Sequence, residues 1–259
     1  MKKTGLILLA TLILITFTAA TEIATINMLN GDTLQGVLNM TTFNFITDYG
    51  EMTFPVDYVS AIQFPAPGNR ITEIKSIYKN ECFGGFLLDD RIDFTIQGNN
   101  LSISRDQIST ITLNGNISEP TGKGAFVKLR TGDAFYARII QPQVNIRTSY
   151  GKMKFQIEDI QAIAFEGTGN VLSTINLTNG NEIKGVIEDE WLSLKLLMDQ
   201  EMLIVPAKIE RISFGTFSEV SESPFVRERM VKVKGGTFRM GNKRNDSEGA
   251  DDEKPVHTV

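Results

Sequence analysis

The chain has one cysteine, one histidine and one tryptophan among its 259 residues. A single cysteine, Cys82, excludes any intramolecular disulfide. With His257 as the sole histidine, neither a His-Cys metal cluster nor a Cys-His dyad can be assembled. Positive charge is in deficit: Lys and Arg number 26 against 31 Asp and Glu, for a net charge of −5. That balance argues against nucleic acid as a partner, because non-specific affinity requires phosphate-neutralising charge. No basic patch lies beside aromatics, no EF-hand spacing occurs, and Gly235-Gly236 lacks the spacing of a phosphate loop.

Long apolar runs are also scarce. Only Gly5 to Phe17 qualifies, and thirteen residues are too few to cross a bilayer comfortably. Lys2 and Lys3 precede this run, and Thr18, Ala19 and Ala20 follow it, so residues 1–20 read as a secretory signal peptide. An uncleaved N-terminal anchor is the alternative. The expectation is export to the periplasm or beyond a bacterial cell, with no stable membrane anchor after cleavage. No cysteine near the cleavage site supports a lipoprotein anchor.

What the chain has in quantity is β-forming residues, including sixteen phenylalanines. They follow a repeat. In residues 21–65, Ile26 and Met28 precede the turn Asn30-Gly31-Asp32, then Leu34, Gly36, Leu38, Phe43, Phe45, Tyr49-Gly50, Met52, Phe54, Val59, Ile62 and Phe64. The pattern recurs over residues 71–114, 125–166 and 171–215, and the fourth copy needs one inserted residue near Asp199. Apolar residues alternate with polar ones at period two, as in half-buried strands. Asn30-Gly31-Asp32, Thr131-Gly132-Asp133 and Asn179-Gly180-Asn181 are hairpin turns by composition. Five short strands per unit predict an all-β chain of four tandem small SH3-like barrels. The opening strands of each unit resemble Sm-like proteins. A four-bladed propeller and a stacked solenoid are the architectural alternatives. Units of this size bury too little surface alone, so neighbours are expected to pack together. Residues 114–124 read as a hinge between two pairs, and residues 216–229 as a linker.

Candidate chemistry is sparse. Asp32, Glu81 and Asp133 recur at one repeat position, with Asn181 in the fourth copy; they read as turn residues bonding their own backbone. The acidic run Asp246, Glu248, Asp251, Asp252 and Glu253 reads as a solvated loop. Cys82 is expected to face away from the core and lie exposed. No residue is assigned a catalytic, cofactor-binding or metal role.

Residues 230–259 carry the most specific motifs. Val231 and Val233 precede Gly235-Gly236-x-Phe238-x-Met240-Gly241, and Asp252-Glu253-x-Pro255-x-His257-x-Val259 follows. This segment resembles the opening of the sulfatase-modifying-factor domain of the formylglycine-generating enzyme family. The resemblance implies a domain start that is truncated here, with its first strand lacking partners. It also implies a copper-binding cysteine pair in a full-length oxidase; no position of this chain matches that pair, so no cofactor is assigned to it. Two functions fit: an exported protein of this family whose repeats recruit a protein or cell-surface ligand, or a non-enzymatic binding scaffold on the same fold.

The complete tripartite leader sets the first prediction. N-terminal sequencing of exported material is expected to begin at Thr21; a start at Met1 identifies the segment as an anchor.

Overall fold

The computed structural model describes residues 22–65, 71–113, 115–167 and 172–221, and the backbone of two short strands at 239–240 and 257–258. The signal segment, most of the linker and most of the C-terminal motif region lie outside the described residues. The chain divides into two compact units, Met1–Ser221 and Glu222–Val259.

Among its described residues the first unit is all-β apart from one short helix. One order of elements recurs four times: four strands, a single 3-10 turn, then a fifth strand. The first run comprises β1 (Ile23–Met28), β2 (Thr33–Leu38), β3 (Thr42–Thr47), β4 (Gly50–Pro55), the turn Val56–Tyr58 and β5 (Val59–Gln63). The second comprises β6 (Thr72–Ser76), β7 (Cys82–Leu87), β8 (Arg91–Ile96), β9 (Asn99–Ser104), the turn Arg105–Gln107 and β10 (Ile108–Leu113). The third comprises β11 (Lys123–Leu129), β12 (Ala134–Ile139), β13 (Gln143–Thr148), β14 (Gly151–Gln156), the turn Ile157–Asp159 and β15 (Ile160–Glu166). The fourth comprises β16 (Leu172–Leu177), β17 (Glu182–Ile187), β18 (Leu192–Leu196), β19 (Glu201–Ile204), the turn Pro206–Lys208 and β20 (Ile209–Thr216).

Turn chemistry fixes these boundaries. Gly31, Gly132 and Gly180 take positive φ between the first two strands of their runs, where a side chain would be strained. At the β3–β4 turn, the Thr47 hydroxyl accepts the Tyr49 N–H and donates to the Gly50 carbonyl; Thr148 does the same for Tyr150 and Gly151. The inserted residue of the fourth run, Asp199, sits with positive φ in the β18–β19 loop, where an extra residue does not shift the ladder.

Strand pairing does not stay within a run. β2 pairs with β8, and β7 pairs with β3, so the hairpins β3–β4 and β8–β9 are exchanged between the first two runs. β5 and β10 lie side by side with Ile62 opposite Ile111, and they flank β6 and β1 respectively. The third and fourth runs pair in the same way: β12 with β18, β13 with β17, and β15 with β20, where Ile163 faces Ile212. Each pair is therefore pseudo-twofold, with matching isoleucines facing each other on the axis. Pairing runs across neighbours rather than through separate blades or self-closed barrels. The cause is size: one run cannot cover its own apolar face, and exchange covers both. Phe43, Phe45, Phe54, Phe83 and Phe94 become fully buried, each contributing about 1.5–3 kcal/mol.

Exchange requires close backbone approach. A Cβ at Gly36 would press into the Thr95 carbonyl, and one at Gly85 into the Ile46 carbonyl and the Phe45 ring. The third run carries Ala137 at this position, and the β12–β18 ladder accommodates it opposite Leu196.

Two expectations about connectors are corrected. Ser118, in the segment expected to act as a hinge, forms a parallel bridge with Tyr78; it donates to the Ile77 carbonyl and accepts from Lys79, and Pro120 is buried. Backbone hydrogen bonds thus fix this connector to the second run. The first residues assigned to the linker are also folded: β20 extends to Thr216, and a helix, α1 (Phe217–Ser221), follows. Phe217 and Val220 are buried against Tyr136, a gain that outweighs the polar composition around them.

In the second unit, Arg239–Met240 pairs antiparallel with His257–Thr258. The strand of the Gly-Gly-x-Phe-x-Met-Gly motif, expected to lack a partner, finds one in the Pro-x-His-x-Val motif.

The crossing geometry predicts the cost of a single methyl. Gly85→Ala is expected to lose about 1–3 kcal/mol in urea unfolding, the range for overpacking a tight site. An unchanged midpoint would show that β7 and β3 do not cross at this distance.

Candidate functional site

The most concentrated polar chemistry of the first unit lies where the second run meets the third. β7 and β12 touch at one pair, Cys82 opposite Ala134. Next to it the Phe83 and Phe135 rings stack, with centroids 5.5 Å apart and planes 7° from parallel. Two carboxylates cross this junction reciprocally. Asp133 Oδ1 accepts the Gly84 N–H at 3.0 Å, and Glu81 Oε1 accepts the Tyr136 N–H at 2.9 Å. Each carboxylate thus holds the backbone N–H three residues beyond its counterpart. Their other oxygens accept tyrosine hydroxyls: Tyr49 to Asp133 at 2.7 Å, Tyr58 to Glu81 at 2.6 Å.

Burial sets the electrostatics. Glu81 is 3% exposed and Asp133 5%. Desolvation pushes both carboxyls above their ordinary range, while the tyrosine and backbone donors pull back; nearby Asp48 adds to the rise at Asp133. Desolvation, reinforced by the facing carboxylates, keeps the Tyr49 and Tyr58 hydroxyls protonated far above the usual tyrosine range. All four groups have their hydrogen-bonding partners inside the junction. Tyr78 stacks edge-on to Tyr58 and Tyr136, which seals it further.

These positions correct the sequence reading. Asp32 and Asn181 are exposed turn residues, each with its own N–H held by Asn30 or Asn179. Glu81 and Asp133, at the same repeat position, leave their own turns and bind across the junction, because β7 and β12 face each other where β2 and β17 face solvent at their ends. Cys82 is half-buried rather than exposed; its thiol lies 3.8 Å from the Gly132 carbonyl, and burial raises its pKa. The side chain of His257 and the acidic run 246–253 lie outside the described residues. Tyr49 was read from sequence only as part of the Tyr49-Gly50 hairpin turn, and Tyr58 was not singled out.

Among the described residues no group of three or more His, Cys, Asp or Glu side chains is arranged to hold a metal ion. Two open cavities stand out among the described residues. One, of about 550 Å³, is lined by Leu29, Phe64, Phe86, Leu88, Arg105 and Asp106 among others. The other, of about 820 Å³, is lined by Ile140, Ile157, Glu158, Thr178, Phe214 and Glu219 among others. They occupy matching places. Leu29 donates its N–H to the last carbonyl of one 3-10 turn, Gln107, and Thr178 donates to the last carbonyl of another, Asp159. Each strand-exchanged pair thus carries a groove at this place. Comparison with family models, with curated proteins and with solved structures finds no match for the chain.

The junction predicts a pH dependence. A carboxyl whose folded pKa is raised binds its proton more tightly when folded. Its contribution is fully present below the unfolded pKa, about 4, and declines as pH rises through the folded value. Glu81→Gln, a neutral isostere, is expected to flatten the fall in urea stability from about pH 4 upward. Glu81→Ala, which strands the Tyr136 N–H, is expected to cost about 1–3 kcal/mol. An identical pH slope in Glu81→Gln and the parent would show that Glu81 ionises as freely folded as unfolded.

Proposed function

We propose that the chain is an exported protein in which four β repeats, joined as two strand-exchanged pairs, form a binding or recruitment module. In this reading residues 230–259 belong to a domain of the sulfatase-modifying-factor kind. The observation that carries the binding role is the division of labour in the first unit. Its buried acids and tyrosines are consumed by one another at the junction, and what each pair leaves open is a groove with exposed apolar walls, such as Phe86 and Leu88. Such walls, edged by a few polar groups, suit recognition rather than bond-making. The family reading is carried by the two motifs alone.

A copper site of the family kind cannot be built from the residues of this chain. The family's copper chemistry needs two cysteines, whereas the single thiol here is half-buried against a carbonyl with a raised pKa. The residues present do not fit that metal. The ligand class is a polypeptide or a cell-surface component.

The experiment pairs binding with chemistry. The purified chain is titrated with a labelled sulfatase peptide containing the target cysteine, and with washed cell envelopes. The same mixture with copper and oxygen is then checked by mass spectrometry for aldehyde. Retention of peptide or envelope without aldehyde is the expected result. Retention of neither removes the binding reading. Aldehyde that persists in Cys82→Ser replaces it with catalysis.

A further inference from the structure

The first unit contains its own model of a ligand. At the end of the first strand of each run, one N–H reaches the last carbonyl of a 3-10 turn in the paired run. Leu29 reaches Gln107, Ile77 reaches Tyr58, Arg130 reaches Lys208 and Thr178 reaches Asp159. Four equivalent seats result. In the third-run seat the exposed side chain of Arg130 folds back over the turn. Its Nε donates to the Ala207 carbonyl at 3.0 Å, and its Nη2 to the Phe165 carbonyl at 2.7 Å. A guanidinium fits because its planar fork presents two donors to two fixed carbonyls.

The first-run seat is the duplicate of this one. Phe64 stands where the third run has Phe165, Asp106 where the fourth has Ala207, and Leu29 where Arg130 would be. Leucine supplies no donor, and the seat is the open cavity of about 550 Å³. The neutral Ala207 beside the filled seat is replaced by a carboxylate beside the open one, and the Asp106 side chain is 86% exposed. The cation already in the groove, Arg105, donates to the Leu87 carbonyl and pairs with Asp90 at 3.1 Å; its Nε lies 3.8 Å from Asp106, a longer contact that a closer guanidinium would have to share. The second cavity carries Lys123 and Arg138 as well as Glu158 and Glu219 in its wall, so its charges balance, whereas the first has two carboxylates to one cation.

We propose that the groove at Leu29, Phe64 and Asp106 binds an arginine side chain of a partner polypeptide. The guanidinium takes the Phe64 and Asp106 carbonyls as Arg130 takes Phe165 and Ala207. The Asp106 carboxylate attracts it, and its aliphatic stem lies on Leu29 and Leu88. The proposal rests on the binding-module reading and names the chemistry of the partner.

The test uses the mature full chain, labelled with 15N, titrated with N-acetyl-arginine methylamide. The lysine and leucine analogues serve as controls. Saturable shifts are expected at the Leu29, Phe64 and Asp106 amides and not at Thr178 or Phe214, with the lysine probe at least about threefold weaker because it lacks the fork. Asp106→Asn is expected to weaken the arginine probe at least about threefold. Leu29→Arg, which installs the internal plug, is expected to abolish the shifts. Should Leu29→Arg fail to fold, Asp106→Asn and the probe comparison decide alone. Equal binding of the leucine probe, shifts that scatter over the acidic surface without saturating, or an Asp106→Asn variant that binds as the parent does would each overturn the proposal. If the arginine probe fails while the chain still retains sulfatase peptide or envelope, the arginine seat falls and the binding-module reading stands.

Discussion

Everything in the first unit follows from the fact that one five-strand run cannot close its own core. About forty residues of alternating strand present one apolar face and too little chain to cover it. Here the cover comes from the neighbour: the hairpin β3–β4 docks on β7, and β8–β9 docks on β2. The ladder hydrogen bonds that hold the exchange are backbone groups which edge strands would otherwise leave unpaired. The facing isoleucines Ile62 and Ile111 record the symmetry of the arrangement, since equivalent residues can meet only on a twofold axis. The pair, not the run, is thus the folding unit, and its tight crossings at Gly36 and Gly85 set which side chains are tolerated there.

Joining two such pairs raises a second problem, because only one strand contact, Cys82 with Ala134, links β7 to β12. So small a ladder leaves polar groups at its margins to be satisfied. Glu81 and Asp133 satisfy them by accepting the Tyr136 and Gly84 N–H groups across the seam. Charged acceptors make stronger bonds than neutral ones, but their desolvation cost rises with burial. Tyr49 and Tyr58 supply the donors that keep that cost from being uncompensated, and the Phe83–Phe135 stack excludes water from the rest. A polar core of this kind fixes geometry more than it adds stability.

Period-two alternation identified the strands, and glycine-centred turns located the hairpins, because both depend on local backbone chemistry that a sequence displays directly. The insertion at Asp199 likewise fell in a loop. Pairing partners were not legible, since β2 has the same alternation whether it pairs with β3 or with β8. The fates of Glu81 and Asp133 were hidden for the same reason: an acid after a turn looks alike whether the next strand faces solvent or another pair. The helix Phe217–Ser221 was missed because five residues are too few to show periodicity, and only the presence of Tyr136 makes Phe217 worth burying. The groove left no sequence signal beyond the change from Arg130 to Leu29, which became informative once the carbonyls around Arg130 were placed.

Repetition turns this chain into a set of internal controls. Residues that sit at one position in four runs experience four surroundings, and their chemistry has followed. At the turn position, the two runs that face each other keep buried acids, and the two outer runs keep solvated Asp32 and Asn181. At the seat after the first strand, the inner runs carry the half-buried Ile77 and Arg130, which caps two carbonyls. The outer runs carry Leu29 and Thr178, which fill nothing, and there the cavities lie. Packing therefore claims the inner copies of each position and releases the outer ones. A residue released from packing is free to serve a ligand at no cost to the fold. The division between structural and binding residues in this unit follows from where the two pairs touch.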